Sequence, residues 1–260
     1  MIKLNEIELF LFDMDGTVYI GENEIAGSFD AIRELKKQGK RICFFTNNSS
    51  KSAKDYILKL KKMNLTIDDD EIYTSGEVTC EYINKNFAGK SVFVLGNEKL
   101  QNEFIKHHIN LSENNPDICV LGFDTSLEYG RLYRFCAELF KGKPYIATHP
   151  DMFCPADGCP MPDIGGMILL IDATINRKPD IIIGKPYTAS GEGVKNRFNL
   201  SADKIAMVGD RLYTDIQFGI NNGFTSVLVL SGETTLASIN ESEIKPDYVF
   251  NTVADMVKML

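Results

Sequence analysis

The sequence predicts an α/β protein whose core is a doubly wound parallel sheet, built from both ends of the chain and interrupted by a second α/β unit. Three observations carry this. Strand-like and helix-like segments alternate from residue 5 onward, an order that calls for a parallel sheet. A second run of the same alternation starts near residue 78 and returns to the first near 181. Apolar core runs also end in compact polar clusters, the first being Asp13-Met14-Asp15-Gly16-Thr17 after Phe10-Leu11-Phe12. In open parallel sheets ligands bind at such carboxyl ends.

Taken in order, Asn5 to Phe12 is the first strand, with Glu8 to Phe12 too apolar to have a wet face, as in a central strand. An irregular stretch follows to Gly27. Ser28 to Gln38 has helical spacing through Phe29, Ile32 and Leu35, with Gly39 as its stop. Arg41 to Phe45 is β-branched and aromatic and delivers Thr46 at its end. Ser50 or Ser52 can cap a helix that carries Tyr56, Leu60 and Met63 on one face. A short strand at Ile72–Thr74 and a helix at Glu77–Asn86 complete the first run. In the insertion, 91–95, 118–121 and 145–147 read as strands, 100–107 and 127–140 as helices, and 149–162 as a proline-rich loop. The core resumes after a strand at 180–183, with a helix at 189–198, strands at 205–208, 225–230 and 248–250, and a helix at 213–221. The expected domains are therefore 1–77 with 181–260, and an inserted 78–180.

Composition narrows the function. The chain has 260 residues, 44% of them hydrophobic and 25% charged, which suits a packed protein rather than a disordered or collagen-like one. A net charge of −8 argues against coating a nucleic-acid polymer. No apolar run approaches a membrane span, and Leu9–Phe12 is too short for a signal-peptide core. Six scattered cysteines without a CxxC pair predict a reduced, cytoplasmic protein. Gly89-Lys90-Ser91 ends like a phosphate-binding P-loop, but Asn84 stands where that motif needs glycine.

The acidic clusters carry the chemistry. Period-2 geometry turns Asp13 and Asp15 to one side and Met14 to the other. At an effective dielectric of about 20, two carboxylates about 4 Å apart repel by about 4 kcal/mol. A second acidic pair, Asp210 and Asp215 in Gly209-Asp210-Arg211-Leu212-Tyr213-Thr214-Asp215, follows the apolar run Ile205–Val208. If both pairs converge, the site needs a cation, and oxygen-only ligands suit Mg²⁺ best.

Asp13-Met-Asp15-Gly-Thr17, Thr46-Asn47-Asn48-Ser49, Gly184-Lys185-Pro186 and Gly209-Asp210…Asp215, in this order, resemble the four motifs of the haloacid dehalogenase-like phosphatases. Their wording is similar to the branch of p-nitrophenyl-, nucleotide- and sugar-phosphatases. The resemblance implies a Rossmann-like core with an inserted α/β cap, Mg²⁺ as cofactor, and hydrolysis of a small phosphorylated metabolite through an aspartyl-phosphate. It makes Asp13 the nucleophile and Asp15 the general acid and base. Asp13, Asp210 and the carbonyl of Asp15 would hold the metal, and Asp215 would support Lys185 or a metal-bound water. Thr46 and Asn47 would cradle phosphoryl oxygens with hydroxyl, amide and backbone N–H groups, and Lys185 would add positive charge.

Several alternatives stay open here. Asp215 could instead serve a helix dipole. His149 and Asp151, in the loop that resembles the branch's specificity segment, could meet substrate, or His149 could be a satisfied loop histidine. Gly165-Gly166 could admit substrate or open a helix. A phosphotransferase or a non-catalytic phosphometabolite binder could use the same scaffold, and a homodimer is compatible with it.

Overall fold

The computed structural model describes residues 3–156 and 158–260. Along the chain run β1 (Leu9–Phe12), the small hairpin β2 (Tyr19–Ile20) and β3 (Asn23–Glu24), α1 (Ser28–Lys37), β4 (Arg41–Thr46), α2 (Ala53–Lys62) and β5 (Ile72–Thr74). Then come α3 (Ser75–Asn86), β6 (Ser91–Leu95), α4 (Glu98–Lys106), β7 (Asn110–Leu111), β8 (Ile118–Leu121), α5 (Tyr129–Phe140) and β9 (Tyr145–Ala147). A hairpin of β10 (Phe153–Cys154) and β11 (Met161–Pro162) leads to α6 (Ile164–Ile175) and β12 (Ile181–Ile182). The chain closes with α7 (Thr188–Phe198), β13 (Ile205–Gly209), α8 (Gln217–Asn222), β14 (Thr225–Val229), α9 (Leu236–Glu241), β15 (Tyr248–Phe250) and α10 (Val253–Val257).

The contacts divide the chain into two compact units. The first holds residues up to Thr46, Ala53–Tyr73 and Lys185–Leu260; the second holds Asn47–Ser52 and Thr74–Gly184. The insertion expected over 78–180 thus runs over 74–184 and takes with it the six residues after β4.

In the first unit a six-stranded sheet has the order β15-β14-β13-β1-β4-β5. β1 lies between β13 and β4 and pairs parallel to both, with Phe12 opposite Val208 and Phe44. All four of its side chains are buried, as a strand covered on both faces requires. Phe10, Phe12 and Met14 join Phe29, Ile32 and Leu35 of α1 and Tyr56 and Leu60 of α2 in one core. Burying one such side chain contributes about 1.5–3 kcal/mol, so this core fixes the sheet and with it the ends of β1, β4 and β13. Met14 turns inward while Asp13 and Asp15 keep some exposure, the alternation expected at the strand end.

The second unit has its own parallel sheet, ordered β12-β9-β8-β6-β7. Its core joins Phe93, Phe135, Tyr145, Ile164 and Ile171 from strands and helices. The helix α6 is the main addition to the elements foreseen. Its run Ile164–Ile175 is apolar on several faces, with Leu169 and Leu170 exposed, so no amphipathic stripe announces it. Among the described residues no helix is long and apolar enough to cross a membrane. No disulfide joins any of the six cysteines.

Candidate active site

Four candidate side chains of the first unit, Asp13, Lys185, Asp210 and Asp215, meet at the carboxyl ends of β1 and β13. Lys185, only 1% exposed, spends its three N–H bonds on Asp13 Oδ1 (2.6 Å), Asp215 Oδ1 (2.7 Å) and the carbonyl oxygen of Phe45 (3.1 Å). Burial alone would strip the ammonium of its proton, but the two carboxylates hold its pKa well above the ordinary lysine value. Asp215 also accepts the backbone N–H of Arg211 on Oδ2 (3.1 Å). Of the two roles open to Asp215, the geometry is that of a partner for Lys185. It lies in a single wide turn at Leu212–Ile216, in which the Ile216 N–H reaches the carbonyl of Arg211.

Asp210 follows β13 and is nearly buried. Its Oδ1 accepts from Thr17 Oγ1 (3.3 Å) and its Oδ2 from the backbone N–H of Glu233 (2.7 Å). Burial, then the charges of Asp215 and Asp13, raise its pKa strongly. Asp215 is raised too, by burial first, against the pull of Lys185. Carboxylate oxygens of Asp13, Asp210 and Asp215 all lie within 4.8 Å of one another. Three carboxylates face the bonded Lys185 and the nearby Arg211, an excess of negative charge, and the ligand atoms they bring together are all oxygens. That donor set and that excess fit a hard divalent cation.

Asp15 stands exposed at the end of the Asp-x-Asp pair. Burial of part of the carboxyl, with Asp13 adding repulsion, raises its pKa despite the opposing charge of Lys59. A carboxyl so shifted keeps a proton to donate closer to neutral pH. Thr46 closes β4 beside β1, in the first unit, whereas Asn47 begins the segment that packs with the second. Arg211 forms an ion pair with Glu233 (3.0 Å).

Two family models match the chain: haloacid dehalogenase-like hydrolase over residues 10–110, and HAD-hydrolase-like over 182–256. Phosphoglycolate phosphatase 1A of Arabidopsis thaliana is 31% identical over 98% of this chain and 77% of its own. The chain belongs to the haloacid dehalogenase-like hydrolases. An acid sugar phosphatase of Staphylococcus aureus is 28% identical over 99% of both chains. Among solved structures, the 4-nitrophenylphosphatase of Thermotoga maritima matches at 45% identity with a TM-score of 0.95, covering 98% of each chain. The p-nitrophenyl phosphatase of Archaeoglobus fulgidus matches at 29% identity and a TM-score of 0.92, over 98% of this chain and 99% of that one. This haloacid dehalogenase-like hydrolase is a phosphatase acting on phosphoesters, a phosphoric monoester hydrolase.

Parts of the hydrolase's site had no signal in the four motifs. The loop after β14 reaches back to it: Ser231 Oγ donates to the carbonyl of Gly16 (2.8 Å), and Glu233 supplies the N–H to Asp210. The cue was Ser231-Gly232-Glu233 at the end of an apolar run, since a Cβ on Gly232 would sit 2.1 Å from Asp210 Oδ2. Gly16 is equally constrained. Its φ is +85°, and a Cβ there would lie 2.6 Å from Asp210 Oδ2. Gly16→Ala is therefore expected to displace Asp210, cutting hydrolysis by about 10²-fold, while costing about 1–2 kcal/mol of stability for the left-handed backbone. Steady-state kinetics and thermal melting check the pair of effects.

The two loop residues lie in the second unit. Asp151 accepts from Asn47 Nδ2 (3.0 Å). The His149 ring is wholly buried, with Nδ1 on Thr148 Oγ1 (3.1 Å) and Nε2 on Asp163 Oδ1 (2.9 Å). Both nitrogens are thus engaged within the chain, the arrangement of a satisfied histidine rather than one that meets substrate. Burial opposes charge on this ring, while Asp163 and then Asp151 draw its pKa upward. His149, Asp151 and Asp163 also bring ligand atoms within 4.8 Å, but the histidine nitrogens are already spent. Of the two readings of Gly165, the backbone shows a helix entry: it lies in the first turn of α6 and donates to the carbonyl of Asp151 (2.8 Å). A Cβ on it would lie 2.4 Å from the carbonyl oxygen of Pro150.

Proposed function

We propose that the chain hydrolyses a small phosphomonoester with Mg²⁺, through an aspartyl-phosphate on Asp13. The observation that carries this is the cluster of Asp13, Asp210 and Asp215, with Lys185 bonded to Asp13 and Asp215. Asp13 attacks phosphorus in line and forms a P–O bond to its carboxylate as the ester oxygen leaves. Asp15 gives its proton to that oxygen, which departs as an alcohol. The Asp15 carboxylate then takes a proton from water, whose oxygen attacks phosphorus, releasing inorganic phosphate and restoring Asp13. Lys185 orients Asp13 by donating to its Oδ1, and Asp215 holds Lys185 in place. Thr46 and Asn47 offer hydroxyl, amide and N–H donors to the phosphoryl oxygens.

Asp13, Asp210 and the carbonyl of Asp15 would hold Mg²⁺. The ion supplies charge neutralisation for the phosphoryl oxygens and the surrounding carboxylates. The names of the relatives support a small substrate: phosphoglycolate, sugar and p-nitrophenyl phosphate each appear among them. We assign substrate selection to the inserted unit, with Asp151 the loop carboxylate that can contribute; His149 is left out of the contact set because its ring is buried and bonded.

A panel of phosphomonoesters assayed with Mg²⁺, then with EDTA, tests this reading. Hydrolysis is expected to fall by at least about 10²-fold on chelation and to return when Mg²⁺ is restored. Undiminished turnover in EDTA would refute the metal assignment, and phosphoryl transfer to an added alcohol in preference to water would replace hydrolase by phosphotransferase.

A further inference from the structure

The second unit carries a binding position that the chain fills with its own residues. In its sheet, β6 leads by way of α4 to β7 on one side, whereas β8, β9 and β12 follow on the other. The winding therefore reverses between β6 and β8. The crevice outside the carboxyl ends of strands at such a reversal is where open α/β sheets take their ligands. Here the groups at those ends bind the segment that follows Thr46. The backbone N–H of Phe123, after β8, donates to Ser49 Oγ (2.9 Å). Asn97, after β6, donates from Nδ2 to the carbonyl of Ser50 (2.9 Å). Gly122 keeps the approach open, since a Cβ on it would sit 2.1 Å from Leu100 Cδ2 and 3.5 Å from Ser49 Oγ.

From Ser49 a buried line of hydrogen bonds continues to the start of α6. Ser49 Oγ meets Thr148 Oγ1 (3.0 Å), Thr148 Oγ1 meets His149 Nδ1 (3.1 Å), and His149 Nε2 meets Asp163 Oδ1 (2.9 Å). Asp163 caps α6 by accepting the N–H of Ile164 on the same Oδ1 (2.7 Å), so this oxygen serves as an acceptor. Nε2 must then carry a hydrogen. In the neutral ring, Nδ1 accepts from Thr148, whose oxygen accepts from Ser49, whose oxygen accepts the N–H of Phe123. Every donor along the line has one acceptor, and all four side chains are buried. The same segment is tied twice more, by Asn47 Nδ2 to Asp151 and by Ser75 Oγ to the carbonyl of Asn47.

We propose that Ser49, Thr148, His149 and Asp163 are positioning residues, which hold Asn47–Ser52 as an intrachain ligand of the second sheet and thereby set the backbone that leaves Thr46. The proposal rests on the reading of Thr46 and Asn47 as donors to the phosphoryl oxygens. Hydrogen bonds suit this task because they fix direction as well as distance, and a break in a buried line leaves its members unpaired. Apolar packing would hold the segment without orienting it.

The test compares Thr148→Val, which keeps the shape and removes the hydroxyl link, with Thr148→Ser, which keeps the link. Both are made in the full chain and studied on the alkaline side of the His149 titration, where the ring is neutral. Backbone hydrogen exchange at residues 48–50 and 123 is expected to quicken about tenfold or more in the valine variant and to stay at the wild-type rate in the serine variant. With p-nitrophenyl phosphate, kcat is expected to fall about tenfold in the valine variant with KM within about twofold, because misdirected donors miss the transition state. Exchange and kcat both unchanged in the valine variant would overturn the proposal. So would faster exchange with unchanged kcat, or a serine variant as impaired as the valine one. Should Thr148→Val fail to fold, Ser49→Ala breaks the same link from its other end. The exchange readout needs no substrate, so it still decides whether the line holds the segment if the phosphate-side reading of Thr46 and Asn47 fails.

Discussion

Asp13→Asn is expected to remove turnover, by about 10⁴-fold or more, without weakening the fold. The loss is large because an amide oxygen cannot form the acyl phosphate that divides the reaction into two steps. The fold is spared for an electrostatic reason. Asp13, Asp210 and Asp215 place three carboxylates within 4.8 Å around one lysine, and burial with like charge already pushes Asp210 and Asp215 upward. Taking one charge out of such a group relieves repulsion, and Asn can still accept from Lys185. The metal-free variant should therefore melt at or above the wild-type temperature. Phosphate-release assays and thermal unfolding in EDTA measure the two halves. Residual turnover above about 1% of wild type would exclude Asp13 as the nucleophile.

Lys185→Met should do the opposite to stability while also abolishing activity. The ammonium is the only positive group bonded directly to Asp13 and Asp215 among the described residues, and it takes the Phe45 carbonyl as well. Removing one partner of a buried ion pair costs about 3–5 kcal/mol, because the remaining charge is left uncompensated. The deficit has a definite pH dependence. Without Lys185, the charge that chiefly opposes the burial of Asp215 is gone, and only the backbone N–H of Arg211 still favours its ionised form. A group raised in the folded state favours folding at pH below its unfolded value and loses that advantage as pH rises through its folded value. The variant should thus be nearest to wild type in acid and fall behind as pH rises through the carboxylate range. Denaturant titrations at several pH values read this directly. A constant deficit across pH would point to lost packing instead.

The core of the fold was legible because its strands are short apolar runs between clear stops. Leu9–Phe12, Arg41–Thr46 and Ile205–Gly209 each end in the polar residues that the sheet then brings together. The geometry of Asp13, Lys185, Asp210 and Asp215 could be anticipated for the same reason: each stands just after, or a turn beyond, a strand or strand-like run. What escaped has physical causes too. The helix α6 is apolar on several faces and has Gly165-Gly166 in its first turn, so neither periodicity nor propensity marks it, and a helix opening there stayed one of two readings; Asp163 before Ile164 is a further cue. The allegiance of Asn47–Ser52 to the inserted unit rests on bonds to residues 75, 97, 123, 148 and 151. No local pattern encodes contacts at such separations. The engaged state of His149 stayed one of two readings, since it depends on Asp163, fourteen residues away and at the cap of α6.

The order of strands in the first sheet bears on how the protein is made. β1 leaves the ribosome well before one of its two neighbours, β13, which begins at Ile205, almost two hundred residues later. The inserted unit, which ends at Gly184, is fully synthesised before that neighbour exists. Leu9–Phe12 must therefore wait with one edge and much of its apolar surface uncovered, the condition under which nascent chains stick to one another. Slowing translation between Gly184 and Ile205 would lengthen that exposure and lower the yield of soluble protein.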